Sequence, residues 1–351
     1  MFLPAPLLIT MGDPTGIGPE IVAKFLAEVV QPPDGGLQPI WVFGAMDALR
    51  SAAETSDLTL PAESIRFRYI HTVNPRNPHP GETVVQALQK AVANIAQAYQ
   101  AGKPLPALVT GPIQKTHLWQ AGYAHQGHTE LLADLALAAG LPVAVPPEML
   151  FVVEQLRMLL LTRHVALSEV SQALTVEGVT QSLLTLVATL QSQGMPRPTI
   201  ALLGVNPHAG EVGGVEEKTI LKPAAEAVMK STGATIVGPL AADGALRGLN
   251  AQTPLYDAFV AAYHDQGLIP IKLLGGWKTV NVTLGLPFWR TSVSHGTAND
   301  IVGRDLASAD SLKAAVAVAQ HWMQQPMPLW KEALPKALNG VVTHPQKGCL
   351  L

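Results

Sequence analysis

Short apolar runs and longer amphipathic stretches alternate along most of the chain. The apolar runs are rich in β-branched residues and end at glycine, proline or polar residues, a pattern typical of buried strands. Predicted strands lie at residues 7–10, 39–43, 107–110, 149–153, 199–203, 234–237 and 279–284. We therefore expect a sheet whose strands are spread over most of the sequence.

Helical periodicity occupies the segments between these strands. A helix is predicted to begin near Pro19, and further predicted helices lie at residues 82–100, 129–139, 168–192, 216–231 and 312–323. Segments of this length can cross from one parallel strand to the next. The alternation of strands and helices predicts the α/β class, with a mainly parallel sheet.

Polar and glycine-rich sequence follows several of the predicted strands. These segments lie at residues 12–20, 111–115, 204–211 and 238–244. Ligands of open parallel sheets bind at the carboxyl ends of the strands, so we expect a small-molecule site there. The chain has no Gly-x-Gly-x-x-Gly with a following acidic partner, which excludes the usual Rossmann fingerprint.

Composition narrows the class of protein. The 351 residues are 48% hydrophobic and 14% charged, enough for two domains or one large one with a buried core. The net charge is −3, and neither sign forms a run, which argues against nucleic acid and anionic membranes as partners. No apolar stretch reaches the roughly 18 residues of a spanning helix. The first residues resemble no signal peptide and the single cysteine, Cys349, is near the end, so we expect a cytoplasmic protein without disulfides.

Three histidines in loop-like contexts are candidate metal ligands. His164, His208 and His264 each follow an apolar run. Imidazole suits zinc and cobalt, and three protein ligands with an open position describe a catalytic metal site. The wide separations match no short metal motif, so hydrogen-bonded surface histidines explain the pattern as well. Asp265, beside His264, is either an orienting partner for an imidazole or a solvated acid.

Two further segments carry candidate anion-binding groups. In residues 127–130, Thr129 has the side chain of a helix N-cap, and such a helix start attracts phosphate or carboxylate, although capping alone explains it equally. Between His264 and Asp300, several polar side chains lie among glycines and apolar residues. Of these, Lys272 has apolar neighbours on both sides, which predicts a buried lysine with a partner such as a substrate phosphate.

Six segments, in this order, resemble the 4-hydroxythreonine-4-phosphate dehydrogenases of vitamin B6 biosynthesis. They lie at residues 12–20, 109–113, 127–130, 206–211, 263–267 and 293–300. That family is similar in fold to the isocitrate and isopropylmalate dehydrogenases. The resemblance implies two α/β/α domains with the active site in the cleft between them. We expect residues 1–140 with 280–351 in the first domain and 141–279 in the second.

The resemblance also implies roles for individual residues. His164, His208 and His264 would bind one divalent ion, zinc, magnesium or cobalt. The implied substrate contacts are His128, Thr129, Lys272, Asn281 and Arg290. The implied contacts to NAD or NADP are His295, Gly296, Thr297 and Asp300. Ser294 stands where the family usually has aspartate. The family further implies a homodimer with the active site at the subunit interface and one metal ligand lent by the neighbour.

The implied reaction is oxidation of 4-phosphooxy-L-threonine to 2-amino-3-oxo-4-phosphooxybutanoate, which decarboxylates to 3-amino-2-oxopropyl phosphate. Three residues are candidates for the group that takes the hydroxyl proton: Lys272, Asp243 and Asp265. A turn-forming role explains Asp243 equally well. The alternatives in the same chemistry are dehydrogenases of 4-phosphoerythronate or 4-phosphothreonate. A phosphate acyltransferase and a non-catalytic phosphometabolite sensor are the alternatives from other classes.

Overall fold

A computed structural model describes residues 4–29, 38–76, 78–125, 127–250 and 252–328. Cys349 lies outside this part of the chain. The described residues form two compact units. Unit 1 comprises 4–142, 277–282 and 286–324, and unit 2 comprises 143–276, 283–285 and 325–328, apart from the gaps given above.

The strands, numbered along the chain, are β1 Leu7–Thr10, β2 Ile40–Gly44, β3 Phe67–His71, β4 Ala107–Thr110, β5 Glu148–Val153, β6 Leu156–Leu160, β7 Thr199–Leu203, β8 Thr235–Leu240, β9 Ala258–Ala261, β10 Val280–Leu284 and β11 Arg290–Val293. The helices are α1 Gly18–Val29, α2 Met46–Thr55, α3 Pro80–Gln100, α4 Lys115–Gln120, α5 His128–Ala138, α6 Val170–Ala173, α7 Val176–Ser192, α8 Lys222–Thr232, α9 Ala242–Ala245, α10 His264–Gly275 and α11 Asp310–Trp322.

Unit 1 contains a parallel sheet in the order β3, β2, β1, β4, β11. Its central strands β1 and β4 are buried along their whole length, which explains their continuous apolar sequence. Helices α3 and α11 pack on these strands, and α1 packs on α2 and α11. The carboxyl ends of β1, β4 and β11 therefore lie at one edge of this sheet, where the polar segments begin.

Unit 2 contains the strands β5, β6, β9, β7 and β8 in that order. The pairs β6 with β9, β9 with β7, and β7 with β8 are parallel. β5 and β6 form an antiparallel hairpin, with Val153 opposite Leu156. A connection of two residues leaves no length for the crossover that a parallel pair needs. The core of the unit includes Phe151, Met158 and Phe259.

Several segments differ from the expectations. The helix predicted at residues 168–192 is broken, because Thr175 is extended and caps α7 by accepting a hydrogen bond from the Gly178 amide. The segment 216–231 begins with a π-helical turn, Glu217–Leu221, before α8. His264 does not lie in a loop but is the first residue of α10. The short strands β3, β6, β9 and β11 were not predicted.

Among the described residues, no single helix is long and apolar enough to cross a bilayer. The helical pair Leu167–Ala173 and Val176–Ser192 meets the length and composition requirement only when joined, and it is bent by 88°.

Candidate active site

Unit 2 brings two of the three candidate metal ligands together. His164 follows β6 and His264 begins α10 after β9, and these two strands are parallel neighbours. Thr162 ties the strand ends together, because its backbone N–H and its hydroxyl both donate to the Ala262 carbonyl at 3.1 and 2.8 Å. The imidazole ring centroids of His164 and His264 are 6.0 Å apart. Two nitrogen ligands for one divalent ion can thus come from adjacent strand ends.

The Asp265 carboxylate orients the His264 imidazole. Its Oδ1 lies 2.7 Å from Nδ1 of His264. An Nδ1–H that donates to a carboxylate leaves Nε2 as the lone-pair nitrogen, which is the arrangement found around metal-binding histidines. The donor set therefore fits a divalent ion. Asp265 itself is 72% exposed, and its contact with His264 supports the orienting alternative.

The third candidate, His208, lies in a strained turn. It belongs to the 3₁₀ turn Pro207–Gly210, in which His208 and Ala209 both have φ of 54°. Left-handed conformation in two successive non-glycine residues is costly and is typical of functional sites. Within the described part of the chain, no group of three or more His, Cys, Asp or Glu side chains could hold a metal ion. One chain thus pairs His164 with His264 without completing a three-ligand set.

Unit 1 holds a buried cation at the start of β11. Arg290 is 2% exposed, and its Nε and Nη2 donate to the Thr110 hydroxyl on β4 at 3.2 and 2.6 Å. Burial lowers the pKa of Arg290 to about 9, and the nearby negative charge of Glu130 partly opposes this shift. Guanidinium groups are rarely buried unless they are paired with other groups, and they form strong hydrogen bonds to anions. The position of Arg290 is therefore suited to binding a phosphate or carboxylate.

His128 and Thr129 lie at the start of α5, close to this cation. The pKa of His128 is well below its usual value because the ring is desolvated and because Arg290 repels a second positive charge. The His128 Nε2 is buried without a hydrogen-bond partner among the described residues. Thr129 is not the N-cap that the sequence predicted. Gly127 occupies that position, and Thr129 is buried in the first turn, so the helix start keeps backbone donors available for an anion.

Asn281 is also buried. It lies on β10, which neighbours β11 in strand order, and its Oδ1 has no hydrogen-bond partner within the described residues. A buried amide oxygen normally has a partner, so a ligand donor is a natural complement.

Lys272 belongs to unit 2, where it lies on α10 and is exposed. The prediction that Lys272 is buried is wrong for the single chain. Helix α10 turns Leu268 and Ile271 towards the core. Ile269 and Leu273, on the side of Lys272, are therefore 57% and 80% exposed.

The expected nucleotide loop lies against the glycine-rich turn of residues 12–18. The Ile17 N–H donates to the Thr297 carbonyl at 2.9 Å, and a Cβ at Gly16 would lie 2.7 Å from the Thr297 Cβ. Asn299 donates to the side chain of Gln114 at 2.9 Å. These contacts hold residues 295–300 against two other strand ends of unit 1.

Within the loop, His295 is fixed from both ring nitrogens. Nδ1 lies 2.9 Å from the Gly296 carbonyl and Nε2 lies 2.7 Å from the Ser311 hydroxyl. Asp300 is exposed in the following 3₁₀ turn. Gly296 and Thr297 thus lie between His295 and Asn299, whose side chains are both held by hydrogen bonds.

A contact between a buried carboxylate and a partly exposed histidine, which the sequence did not predict, supports the glycine-rich turn. Asp13 is fully buried, and its Oδ2 lies 2.6 Å from Nδ1 of His117. Its Oδ1 accepts hydrogen bonds from the Thr15 amide and hydroxyl at 2.9 and 2.6 Å. Gly12 has φ of 78° and lies directly against the Pro112 carbonyl, so no side chain fits there. Asp13 was visible within its motif, but no sequence signal connects it to His117.

Asp243, a candidate proton acceptor, is exposed in the first turn of the short helix α9.

Comparison with known proteins decides the family. The model of the family described as pyridoxal phosphate biosynthetic protein PdxA matches residues 39–319. The chain belongs to this family. A 4-hydroxythreonine-4-phosphate dehydrogenase of Methylorubrum populi is 39% identical over 339 residues, covering 92% of this chain and 95% of the relative. The expected resemblance is therefore confirmed.

Solved structures confirm the predicted α/β fold class. The crystal structure of 4-hydroxythreonine-4-phosphate dehydrogenase from Klebsiella pneumoniae has a TM-score of 0.74 and 33% identity, covering 92% of this chain and 98% of that one. A terephthalate 1,2-cis-dihydrodiol dehydrogenase from Burkholderia xenovorans is 30% identical with a TM-score of 0.57, covering 90% and 98%. The names of these two similar structures include one phosphorylated and one non-phosphorylated compound, so the fold alone does not choose the substrate.

Proposed function

We propose that the protein oxidises 4-phosphooxy-L-threonine with NAD or NADP. Hydride leaves the carbon that bears the secondary hydroxyl, the hydroxyl loses its proton, and 2-amino-3-oxo-4-phosphooxybutanoate forms. Its carboxylate is β to the new ketone, so it loses carbon dioxide to give 3-amino-2-oxopropyl phosphate. The observation that supports this proposal is the 39% identity to a 4-hydroxythreonine-4-phosphate dehydrogenase over 92% of the chain. We place the reaction in the cytoplasm.

The buried cation of unit 1 supports a phosphorylated substrate. We assign the phosphate to Arg290, His128 and the start of α5 at Thr129. A guanidinium supplies charged donors, and a neutral His128 can donate from its buried Nε2, which otherwise lacks a partner. Asn281 would contact a further polar group of the substrate.

The residues of unit 2 would hold the metal. We assign His164, His208 and His264 as ligands of zinc, cobalt or magnesium, with Asp265 orienting His264. When bound, such an ion lowers the pKa of a hydroxyl that it polarises and stabilises negative charge on oxygen. The chain's own contribution is to set the tautomer of His264 and to hold His164 beside it through Thr162.

A homodimer completes this proposal. The incomplete ligand set of one chain agrees with a third ligand lent by a neighbour, and His208 is the ligand not paired with the others. Ile269, Leu273 and Leu274, 44–80% exposed, form an apolar surface on α10 around Lys272. Apolar surfaces of this kind mark association sites. A second copy covering α10 would bury Lys272 as well.

Among the candidate proton acceptors, the dimer favours Lys272. In such a dimer the Lys272 amine, on α10, would lie at the subunit interface, where the metal site is proposed to be completed. The Asp265 carboxylate already lies 2.7 Å from the His264 ring, and Asp243, which is exposed as Lys272 is, lies on α9 and outside the apolar surface of α10. We assign the nucleotide to His295, Gly296, Thr297 and Asp300, the loop held against residues 12–18.

A substrate panel tests the proposed function. Metal-loaded protein would be assayed with 4-phosphooxy-L-threonine, 4-phosphoerythronate, 4-phosphothreonate and the terephthalate dihydrodiol, each with NAD and NADP, following reduced nucleotide and carbon dioxide. We expect the highest kcat/KM for 4-phosphooxy-L-threonine, with loss of activity on chelation and recovery on adding zinc, cobalt or magnesium. A higher kcat/KM for another substrate would move the assignment to it. In a separate assay with an acyl-coenzyme A and inorganic phosphate, acyl transfer that survives chelation would replace the dehydrogenase with a phosphate acyltransferase.

A further inference from the structure

A buried carboxylate lies inside the turn that carries His208. Glu217 is only 4% exposed. Its Oε1 accepts a hydrogen bond from the Asn206 backbone N–H at 2.7 Å, and its Oε2 accepts one from the Asn206 side-chain amide at 3.0 Å. A buried carboxylate is stable only with such partners, so Glu217 and Asn206 form a coupled pair.

The turn wraps closely around this carboxylate. A Cβ at Gly210 would lie 2.7 Å from Glu217 Oε2, and a Cβ at Gly204 would lie 3.1 Å from Oε1. Gly210 also has φ of 84°, a conformation that disfavours any side chain. Gly204, three residues before the turn, and Gly210, at its end, thus let the backbone approach the carboxylate.

Between these glycines, the backbone is held in an unfavourable conformation. His208 has φ, ψ of 54°, 29°, and Ala209 has 54°, 41°. Such conformations persist only where the surroundings determine them, and Glu217 is the buried group that the turn surrounds. Glu217 is also the first residue of the π-helical turn Glu217–Leu221. π-Helical turns are found frequently at functional sites.

A second link ties this turn to the segment that carries His264. Gln266 accepts from the Ala262 backbone N–H at 2.7 Å, and its amide donates to the Gly204 carbonyl at 2.7 Å. The start of the His208 turn is therefore fixed to the strand end that precedes His264. Glu217 then determines the path of the turn beyond that point.

We propose that Glu217 is a positioning residue that holds His208 in the left-handed conformation used for metal binding. The inference rests on the proposed function, because His208 is a ligand only in that assignment. Glu217 contributes no ligand atom: its two oxygens bind Asn206, and its effect reaches the metal through the backbone of residues 206–208.

The test is Co²⁺ binding to the chelated full-length protein, measured for Glu217→Gln and wild type by titration and by the visible absorption of the bound ion. Glutamine keeps the volume but replaces one acceptor with a donor. Asn206 cannot compensate by turning its amide, because that amide also donates to Glu216 at 2.8 Å. We expect Co²⁺ affinity to fall about 10–100-fold, as for other outer-shell changes, with an altered spectrum.

Glu226→Gln is the matched control, because Glu226 is exposed on α8 and the charge change is the same. It should leave the Co²⁺ affinity and the absorption spectrum at wild-type values.

Asn206→Ala, which removes only the side-chain donor, provides a second variant if Glu217→Gln folds poorly, and it should also weaken Co²⁺ binding. Wild-type Co²⁺ affinity and spectrum in a well-folded Glu217→Gln or Asn206→Ala protein would overturn the positioning role alone. Absence of Co²⁺ binding by the wild type would overturn both this role and the proposed metal site.

Discussion

Arg290 on β11 donates from Nη2 to the Thr110 hydroxyl on β4 at 2.6 Å, within the buried interior of unit 1. The contact fixes the plane of the guanidinium relative to the parallel strand beside it. A planar fork held in this way can bind a phosphate with directional hydrogen bonds, which a lysine cannot reproduce.

Arg290→Lys should therefore impair turnover of a phosphorylated substrate while keeping the charge. Loss of directional hydrogen bonds to a charged group costs about 1.5–3 kcal/mol, roughly a 10–150-fold fall in kcat/KM. The measurement is steady-state kinetics with 4-phosphooxy-L-threonine. Arg50→Lys, on the surface of α2, is the control and should leave the kinetics unchanged. Wild-type kcat/KM in the Arg290 variant would contradict the phosphate assignment.

The depressed pKa of His128 predicts a pH dependence of stability. Its folded-state pKa lies below the ordinary value of 6.5, so the unfolded chain binds the proton more readily. Its contribution to stability is therefore fully present above pH 6.5 and is lost as the pH falls towards the folded-state pKa. The slope from one such group approaches about 1.4 kcal/mol per pH unit.

Denaturant unfolding of wild type and His128→Gln across this range measures the effect. The glutamine variant should have a flatter profile below pH 6.5, whatever its stability at neutral pH. Parallel profiles for the two proteins would show that His128 does not account for the dependence.

Asp265→Ala should weaken metal binding without abolishing it. The substitution removes the acceptor that orients the His264 ring, and changes of this type lower metal affinity about 10–100-fold. Titration of the chelated protein with zinc or cobalt checks the prediction. Asp47→Ala, at an acid that is 83% exposed on α2, should bind metal like the wild type. Complete loss of binding in the Asp265 variant would instead make this residue a ligand.

Mixed subunits can test whether the metal site is shared. His208→Ala and His264→Ala should each be inactive alone. If His208 acts with the histidines of a neighbouring subunit, a heterodimer of the two variants has one intact site, and random mixing should restore about a quarter of wild-type activity. Mixing after mild denaturation and refolding, followed by assay, gives the measurement. No recovery in verified heterodimers would place all three ligands in one subunit.

Local sequence was sufficient for the elements whose burial is continuous. β1, β4 and β7 have the predicted bounds, because a strand covered on both faces is apolar throughout and ends where glycine or polar residues begin. Local sequence was less informative where strand pairing or helix capping determined the bounds of an element. The β5–β6 hairpin and the break of the helix at Thr175 depend on a short turn and a single cap.

The sequence by itself determined the α/β class, the family motifs and the identity of the candidate residues. Tertiary structure decided which of them meet. Only the fold shows that His164 lies beside His264, that Arg290 is buried against Thr110, and that Glu217 fills the turn around His208. The same fold turns the apolar surroundings of Lys272 into an exposed surface. The physical reason is that hydrophobic periodicity reports local burial, whereas contacts between residues far apart in the chain depend on strand order and register, which no local pattern encodes.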